Sequence, residues 1–435
     1  MAIPSGLFSL PKPQEIPGIS NKQVEILAAN SSSGTPYKKN DRIVFMIPAM
    51  KNAWLNPQRS FLSFAGSCAN KTTTEITDNS LTAFFKDGVP VFDRMTIKSG
   101  GVLVEDLRNM NEMAKLMRNF ESVSSVKAKE ALIGDYRLTN EANDTTTKTA
   151  LTLARKIKGN DVTGEYFMHQ ILSGVIGKAQ KHYIPIGMFN STGSPALEVE
   201  FYLTNYDAQV LDSITASEEF QIKDVKLQLE IVDLDESIMQ RLNQSLAQDS
   251  QIAIPFQTYR EYRNYLTASP DHDITISENC KNLNKIFTIF RKTDNLTTTN
   301  YLKFAGGSDD AANGILEYHF RFGSQYYPLV QSKGGKKALL NALSGMDLLN
   351  GSPMISRITN VGGVPYNSAT GDFCIVQNFK TSSDDVLNAL DTSHTGAPID
   401  LRIKKVADGQ TLEVLSFVEM EKTLVIGMHG RVSVY

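Results

Sequence analysis

The chain has 435 residues, of which 41% are hydrophobic and 21% are charged, and its formal net charge is −3. This length accommodates about two domains of ordinary size, and the composition is that of a globular protein. The slightly negative charge argues against a protein that binds nucleic acid through electrostatic attraction. No apolar run reaches the roughly 20 residues that a helix needs to cross a bilayer, and the first residues have neither the basic nor the apolar region of a secretory signal.

Residues 1–40 are rich in proline and in small polar residues. They contain five prolines and a cluster of asparagine, serine and glycine at 30–34. A segment of this composition buries little apolar surface, so we predict an extended arm without a core of its own.

The remainder of the first half alternates short apolar runs with long polar stretches. We interpret Asn56-Pro57 as a turn, residues 70–82 as a loop, and residues 121–163 as a long polar excursion that is either functional or disordered. Strands are predicted at 42–48, 60–65, 166–176, 183–188, 197–203 and 225–231.

One stretch of the first half changes its hydrophobic period in the middle. Alternation over 92–98 predicts a strand, and Gly100-Gly101 predicts a turn with positive φ. After the turn, apolar residues recur at the spacing of an amphipathic helix: Leu103, Leu107, Met110, Ala114 and Met117. Glu105 and Asp106 would then occupy the first turn, where they suit the positive end of the helix dipole.

The same order recurs in the second half. An alternating aromatic strand at 317–322, which continues through 326–328, is followed by Gly334-Gly335 and then by Leu339, Leu343 and Met346 at helical spacing. The two double glycines are 334 − 100 = 234 residues apart, about half the chain. Two copies of one strand, turn and helix pattern predict a duplicated domain.

A further helix is predicted where the two halves meet. Asp233 with Glu236 resembles a capping box, and an apolar helical stripe follows it. We place the domain boundary after this helix, near Ser250. The second half then contains further predicted strands at 252–256, 273–277, 286–290, 373–379, 401–406, 412–418, 423–428 and 432–435.

Many short strands, long polar loops and few helices are typical of two tandem antiparallel β-sandwiches, which is an all-β fold. The predicted domains are 41–250 and 251–435, preceded by the arm at 1–40. The three cysteines, Cys68, Cys280 and Cys374, lie far apart in or beside apolar runs. Buried free thiols in a reducing compartment are therefore favoured over disulfides or a metal cluster.

Two short patterns resemble ligand sites. Lys333-Gly334-Gly335-Lys336 lacks the glycine spacing and the hydroxyl residue of a phosphate loop. Asp271-His272-Asp273 contains the residues of half a metal site, or of a base with its orienting carboxylate. Pro270 beside it favours a solvated turn instead.

Tyr259, Arg260, Tyr262, Arg263 and Tyr265 interleave aromatic rings with guanidinium groups, as sites for single-stranded nucleic acid do. The negative net charge of the chain favours a different interpretation. We expect an edge strand or one helical turn that packs against a neighbouring element or a partner subunit.

The acid pairs Asp233/Asp235 and Asp309/Asp310 are candidates for glycoside hydrolysis on a β-sandwich. Adjacent acids in a loop usually face solvent, and the sequence contains no Gly-x-Ser-x-Gly, His-Glu-x-x-His or Cys-x-x-Cys motif. We therefore predict no catalytic, cofactor-binding or metal-binding residues, and a protein that is not an enzyme.

Several short runs follow one another in a characteristic order. They are Ile47-Pro48, Phe61-Leu62-Ser63-Phe64, Asp93-Arg94-Met95-Thr96-Ile97, Asn109 with Asn111, and the late positions Arg321, Gly323, Tyr327 and Pro328. In this order they resemble double jelly-roll major capsid proteins, in particular those of adintoviruses, Polintons and polinton-like viruses. The resemblance covers most of residues 41–435.

The resemblance implies two eight-stranded jelly rolls in each chain, standing roughly perpendicular to a capsid. Three chains would form a homotrimer with a pseudo-sixfold outline, and such trimers would tile an icosahedral shell. The implied partners are further copies of the chain, penton proteins and minor capsid or cement proteins, with an internal membrane left open and no sequence-specific nucleic acid. The implied location is the virion, after synthesis in the host cytoplasm or nucleus.

Two other functions remain open on the sequence. A carbohydrate-binding or host-attachment β-sandwich would explain the strands equally well, but it needs an exposed aromatic platform, and the single Trp54 lies where a core position is expected. A glycoside hydrolase on a jelly-roll scaffold needs a carboxylate pair that faces a groove.

Overall fold

The computed structural model describes residues 20–30, 35–70, 84–85, 91–121, 165–189, 195–212, 218–236, 238–240, 244, 251–295, 304–346, 348, 373–380, 389–393, 398–407, 409–427 and 430–435.

The first half forms two four-stranded antiparallel sheets around one core. Its strands are β1 (Ser20–Leu27), β2 (Arg42–Ile47), β3 (Ala53–Asn70), β4 (Phe84–Phe85), β5 (Phe92–Ser99), β6 (Val102–Arg108), β7 (Glu165–Gln170), β8 (Leu197–Leu203), β9 (Leu211–Asp212) and β10 (Glu218–Asp233). One sheet has the order β1-β10-β3-β7 and the other has the order β2-β8-β5-β6, while β4 and β9 form a separate short pair.

The second half forms two further antiparallel sheets. Its strands are β11 (Ile252–Leu266), β12 (Asp271–Ile276), β13 (Leu283–Lys292), β14 (Ile315–Phe322), β15 (Gln325–Lys333), β16 (Cys374–Asn378), β17 (Ile399–Lys405), β18 (Leu412–Ile426) and β19 (Val432–Val434). One sheet has the order β11-β18-β13-β16, with β19 added to the end of β18, and the other has the order β12-β17-β14-β15.

The two halves have the same strand order. In each, one sheet joins the first, eighth, third and sixth main strands, and the other joins the second, seventh, fourth and fifth. Two facing four-stranded sheets connected in this way form a jelly roll. The predicted all-β fold with tandem antiparallel sandwiches is therefore confirmed.

Within the described ranges, the helices with both ends placed are α1 (Met110–Phe120), α2 (Asp207–Val210) and α3 (Gly334–Gly345), with 3₁₀ turns at Ile186–Met188 and Thr293–Asn295. Residues 236, 238–240 and 244 are also helical. The helix predicted from Leu103 is wrong over its first part, because Val102–Arg108 is a strand that pairs with β5. Gly100 and Gly101, with φ of 55° and 82°, form the two-residue turn between the strands. Two consecutive positive φ values match the twist of a hairpin, so the chain turns back into the sheet before the helix begins.

The two double glycines are not equivalent positions. In the second half the hairpin turn lies at Gly323, and Gly334-Gly335 begins α3 instead. The matching strands β5 and β14 begin 315 − 92 = 223 residues apart. The predicted duplication is thus confirmed, but the 234 residues between the double glycines do not measure the repeat, because the two pairs occupy different positions in it.

The prediction that residues 1–40 form an arm without a core is wrong from residue 20 onward. Ser20–Leu27 pairs antiparallel with β10, with Ser20 opposite Asp233, and Val24 and Ile26 pack against the core of the first roll. Alternation of these apolar residues with polar ones gives a half-buried edge strand. Residues 1–19 lie outside the described residues, as do almost all of 70–82 and 121–163.

Several predicted boundaries also change. Asn56-Pro57 lies within β3, where residues 57–60 bulge opposite the single Leu229 of β10. Residues 412–418 and 423–426 belong to one strand, which ends at Ile426, and only 166–170 of the run at 166–176 is strand. After Asp233 the first helical bonds run to the carbonyl of Asp235, so the helix begins later than predicted.

Each jelly roll has its own core, and each core contains residues from the other half of the chain. Ile252, Ile254 and Phe256 of β11, with Leu424 and Ile426 of β18, belong to the core of the first roll. Met113, Leu116 and Phe120 of α1 belong to the core of the second roll. The two rolls are therefore joined by exchanged apolar side chains as well as by the connecting chain.

Candidate functional site: the junction between the rolls and two open faces

The junction between the rolls is built by β6 and α1 on one side and by β11, β13 and β18 on the other. The β5–β6 hairpin ends at Arg108, and Asn109, with φ of 46°, redirects the chain into α1. This turn places α1 over the first sheet of the second roll, where Leu116 is fully buried. Although α1 follows the β5–β6 hairpin of the first roll, its apolar side chains therefore pack into the core of the second roll.

A buried ionic triad lies beneath α1. Arg291 of β13 donates from Nε to Glu413 of β18 at 2.9 Å, and the other end of its guanidinium donates to Glu112 of α1. The exposed fraction of each of the three side chains is at most 2%. Because desolvated charges need complete pairing, this triad fixes the position of α1 on the second roll.

The triad continues outward into a partly solvated ring of charges. Arg263 of β11 lies 3.3 Å from Glu261 and 3.4 Å from Glu413, and it donates to the side-chain oxygen of Asn109 at 3.1 Å. Burial raises the pKa of Asp93 on β5 to about 6, aided by the nearby carboxylates and opposed by the two arginines. Carboxylates outnumber the guanidinium groups inside this cluster, so Asp93 gains little from ionisation.

A cavity of about 400 Å³ opens to the outside of this cluster, lined by Asp93, Arg94, Arg108, Asn109, Glu261 and Arg263. Groups of both signs share its wall, so charge favours neither an anion nor a cation there. Among the described residues, no group of three or more His, Cys, Asp or Glu side chains is placed to hold a metal ion.

A second polar contact ties the rolls together along β6. Glu105 is buried and accepts hydrogen bonds from the Ser173 hydroxyl at 2.5 Å and from the Gly174 amide at 3.0 Å. Burial raises the pKa of Glu105, while these bonds and one from Thr258 of β11 oppose the rise. Gly174 lies so close to β11 that an added Cβ would be 1.7 Å from the Gln257 carbonyl oxygen. The turn at 171–180 therefore docks on β11 through backbone contact.

Comparison with solved structures matches this architecture over nearly the whole chain. A chain of the Sputnik virophage matches 96% of this protein over 88% of its own length, with a TM-score of 0.56 and 14% identity. The Faustovirus major capsid protein matches 95% of this protein over 91% of its length, with a TM-score of 0.56 and 9% identity. A chain of the PBCV-1 virus capsid matches 96% over 96%, with a TM-score of 0.52 and 9% identity. The chain has the double jelly-roll fold.

No protein-family model matches the sequence, and no curated protein matches it. At these identities the shared property is the fold, so the double jelly roll is established from structure. In the described part of the chain, no helix has both the length and the apolar character needed to span a membrane.

The candidate site residues named from the sequence lie in separate parts of the double jelly roll. Asp271 begins β12, His272 Nε2 lies 2.7 Å from the Ser269 carbonyl oxygen, and Asp273 pairs with Arg402 at 3.1 Å. The interpretation of these residues as a turn is wrong, because all three lie in β12 and pair with β17. In the part of the chain that the structure describes, they belong to no group of three or more His, Cys, Asp or Glu side chains that could hold a metal ion.

The other candidates are also engaged in structural contacts. Lys333 pairs with Glu317 at 3.1 Å, and Asp233 pairs with Lys22 at 2.6 Å. Asp310 is buried and accepts from the backbone amides of Ala312 and Asn313 at 3.0 Å and 3.2 Å.

The Tyr/Arg run at 259–265 lies in β11, which is an edge strand of its sheet and faces β6. Trp54 is buried and donates from its indole nitrogen to the sulfur of Met239 at 3.4 Å. An edge strand and a core tryptophan were the structural interpretations given from the sequence.

Sequence reasoning missed the triad of Glu112, Arg291 and Glu413. A signal for it existed, because Arg291 directly follows the apolar run 286–290 and Glu413 lies within the apolar strand 412–418. A charge inside a buried strand needs a partner. The identity of the partner, 179 residues away for Glu112 and Arg291, is not readable locally.

Two faces of the double jelly roll expose large apolar side chains. On β15, Leu329 is 88% exposed and Val330 is 67% exposed. On the first roll, Leu27 at the end of β1 is 63% exposed and Met46 on β2 is 48% exposed. Exposed apolar side chains on edge strands are typical of surfaces that another chain covers.

Proposed function

We propose that this protein is a major capsid protein that trimerises and tiles an icosahedral viral shell. One observation carries the proposal: the described residues form a pair of jelly rolls of identical strand order, and at least 95% of the chain matches chains of viral capsids or virions and a viral major capsid protein. Because the sequence identities are only 9–14%, we infer the function from the shared fold and from the large share of each chain that matches.

The proposed trimer follows from the duplication. Two similar rolls in each chain, and three chains around one axis, place six similar rolls in a ring with a pseudo-sixfold outline. The junction supports this role, because the buried triad and the exchanged apolar side chains hold the two rolls in one fixed relation. A rigid pair of rolls allows many individually weak contacts between capsomers to form at the same time.

We divide the chain into a first roll at 41–250 and a second roll at 251–435, with β1 added to the first roll from the N-terminal segment. We assign no catalytic, cofactor-binding or metal-binding residues and no enzymatic activity. On this proposal, function resides in surfaces that contact other protein chains.

We place the protein among the capsid proteins of the adintovirus, Polinton and polinton-like virus lineage, on the residue order described above. Its proposed location is the virion, after synthesis in the host cytoplasm or nucleus. Its proposed partners are neighbouring capsomers, penton proteins and minor capsid or cement proteins, with an internal membrane as an open alternative.

Light scattering and electron microscopy of the purified full-length chain test the proposal. We expect a mass of three chains, and images of flat triangular capsomers or closed shells. A strict monomer at every concentration contradicts it. A carbohydrate-binding module is the main alternative, but the exposed tyrosines of the described residues lie on separate elements rather than on one platform: Tyr166, Tyr206, Tyr265, Tyr326 and Tyr435.

A further inference from the structure

The strands β6 and β11 meet at the junction, and the strands at the corresponding positions of the other rolls, β15 and β1, are both edge strands. In the first roll, the fifth strand β6 contacts β11 and β19 of the second roll, and Val104 and Leu107 are each 3% exposed, whereas Leu103 is 51% exposed. In the second roll, the fifth strand is β15. Here Ser332 is the only one of its nine residues that is buried.

The uncovered strand carries an ordered apolar projection. Between the pairs Tyr318–Ser332 and Phe320–Tyr327, residues 328–331 stand opposite the single His319, so the edge of the sheet bulges outward. Lys337 of α3 holds this bulge by donating to the carbonyl oxygens of Val330 at 3.3 Å and Gln331 at 2.9 Å. The bulge therefore presents the Leu329 and Val330 side chains to solvent from a supported backbone.

The element that covers β6 within the chain identifies what should cover β15. That element is β11, the first strand of the second roll and an edge strand of its sheet. Its counterpart in the first roll is β1, which is also an edge strand. Beside it lies β2, the edge strand of the facing sheet, since the Ala29 amide donates to the Val44 carbonyl at 2.7 Å. Leu27 and Met46 are the exposed apolar residues of this edge.

We propose that Leu329 and Val330 of one copy pack against the β1–β2 edge of a second copy, around Leu27 and Met46. This contact repeats, between chains, the junction that joins the two rolls within a chain. It is a head-to-tail contact between two different faces, which closes into a ring when the rotation divides a full turn. This inference rests on the proposed function, which supplies the three copies that complete the ring.

Two substitutions test the contact in the full-length chain. L329D introduces a charge on the projecting face, and L27D introduces one on the receiving face. Tyr265→Asp is the matched control, because Tyr265 is 53% exposed on the edge strand β11 and lies on neither face. Sedimentation measures the association state of each chain, and thermal unfolding confirms that each variant is folded.

We expect L329D and L27D each to remain monomeric at concentrations where the wild type and Y265D are trimeric. Each junction should weaken at least about 30-fold, as for truncation of a central interface residue. A mixture of the two variants should form one-to-one dimers, because one junction of such a pair has two intact faces. The mixture should not form closed trimers of wild-type stability.

The outcomes separate this contact from the proposed function. If the wild type is trimeric and both variants are trimeric with unchanged affinity, the contact is overturned and the capsid proposal stands. If each variant alone is monomeric but their mixture stays monomeric, a head-to-tail contact between these two faces is also overturned. A wild type that is monomeric throughout contradicts the capsid proposal itself.

Discussion

At the scale of single residues, the junction depends on charges that are almost completely removed from water. Arg291 pairs with one oxygen of Glu112 and one oxygen of Glu413, and a buried ionic group of this kind adds little net stability compared with an apolar replacement of all its members. Removal of one member is different, because it leaves an uncompensated buried charge. The triad is therefore better described as a device that fixes the position of α1 than as a source of stability.

Replacement of Arg291 by methionine should lower the free energy of unfolding by about 3–5 kcal/mol, because the buried Glu112 would lose its cation and Glu413 would keep only the longer contact with Arg263. Urea unfolding followed by circular dichroism measures this loss. The control is Lys51→Met, which breaks the exposed pair with Glu236 and should cost less than about 1 kcal/mol. Equal effects of the two substitutions would show that the triad does not act as a buried unit.

Asp93 gives the protein a pH dependence of unusual sign. Its folded pKa of about 6 lies above the ordinary value for an aspartate. Between about pH 4 and pH 6 the folded protein holds a proton that the unfolded chain has lost, so this residue contributes stability that decreases as the pH rises through 6. A carboxylate whose pKa is lowered, despite desolvation, by hydrogen bonds and a nearby lysine, such as Glu200, acts in the opposite direction.

The substitution Asp93→Asn should therefore stabilise the protein at pH 8 and leave its stability unchanged near pH 4, where Asp93 is already neutral. Unfolding midpoints in urea at both pH values measure the difference, with the exposed Asp271→Asn as the control. A destabilised variant at pH 8 would mean that the ionised carboxylate is needed by Arg263 or Arg291.

At the scale of elements, the hairpin β5–β6, the turn at 171–180 and the strand β11 determine how the rolls meet. Gly174 is the point of closest approach, because a Cβ at this position would overlap the Gln257 carbonyl of β11. The atoms nearest to such a Cβ are all backbone atoms of Gln257, so no flexible side chain can move away to make room. The absence of a side chain at Gly174 is thus a requirement of the junction.

Gly174→Ala should force the turn away from β11 and lower the free energy of unfolding by about 1–3 kcal/mol or more. Gly427→Ala is the control, since the nearest atom to its added Cβ is 3.8 Å away, and we expect a change within about 0.5 kcal/mol. Urea unfolding of both variants tests this pair. Similar midpoints for the two would exclude a tight contact at Gly174.

At the scale of the whole molecule, the two rolls depend on each other. The first core lacks part of its lining without β11 and the end of β18, and the second core lacks Met113, Leu116 and Phe120 without α1. The strand order makes the two rolls separate repeats, but each apolar core is complete only with residues from the other half of the chain. A duplicated fold can therefore behave as one cooperative unit.

We predict one calorimetric unfolding transition for the full chain and no cooperative transition for residues 41–250 or 251–435 produced separately. Differential scanning calorimetry and circular dichroism of the three polypeptides measure this, with co-expression of the two halves as the control for recovery. Two separable transitions, or a half that folds alone, would show that the exchanged side chains are dispensable.

The sequence by itself determined the position of many strands, the all-β class and the duplication. Period-two alternation reports the half-buried strand directly, as in 197–203, which is predicted and observed with the same bounds. The turn at Gly100-Gly101 was also local, because only glycine adopts its two positive φ values without cost.

Only the tertiary structure decided where α1 begins, which core it enters and which charges it meets. Leu103 and Leu107 fit a helix and a hairpin strand equally well by spacing, and the pairing of β6 with β5 selects the strand. The partner of Glu112 lies 179 residues away, and the exposure of Leu329 becomes meaningful only beside the covered strand β6. Local periodicity follows from the geometry of one segment, whereas burial and pairing follow from which distant segments the fold brings together.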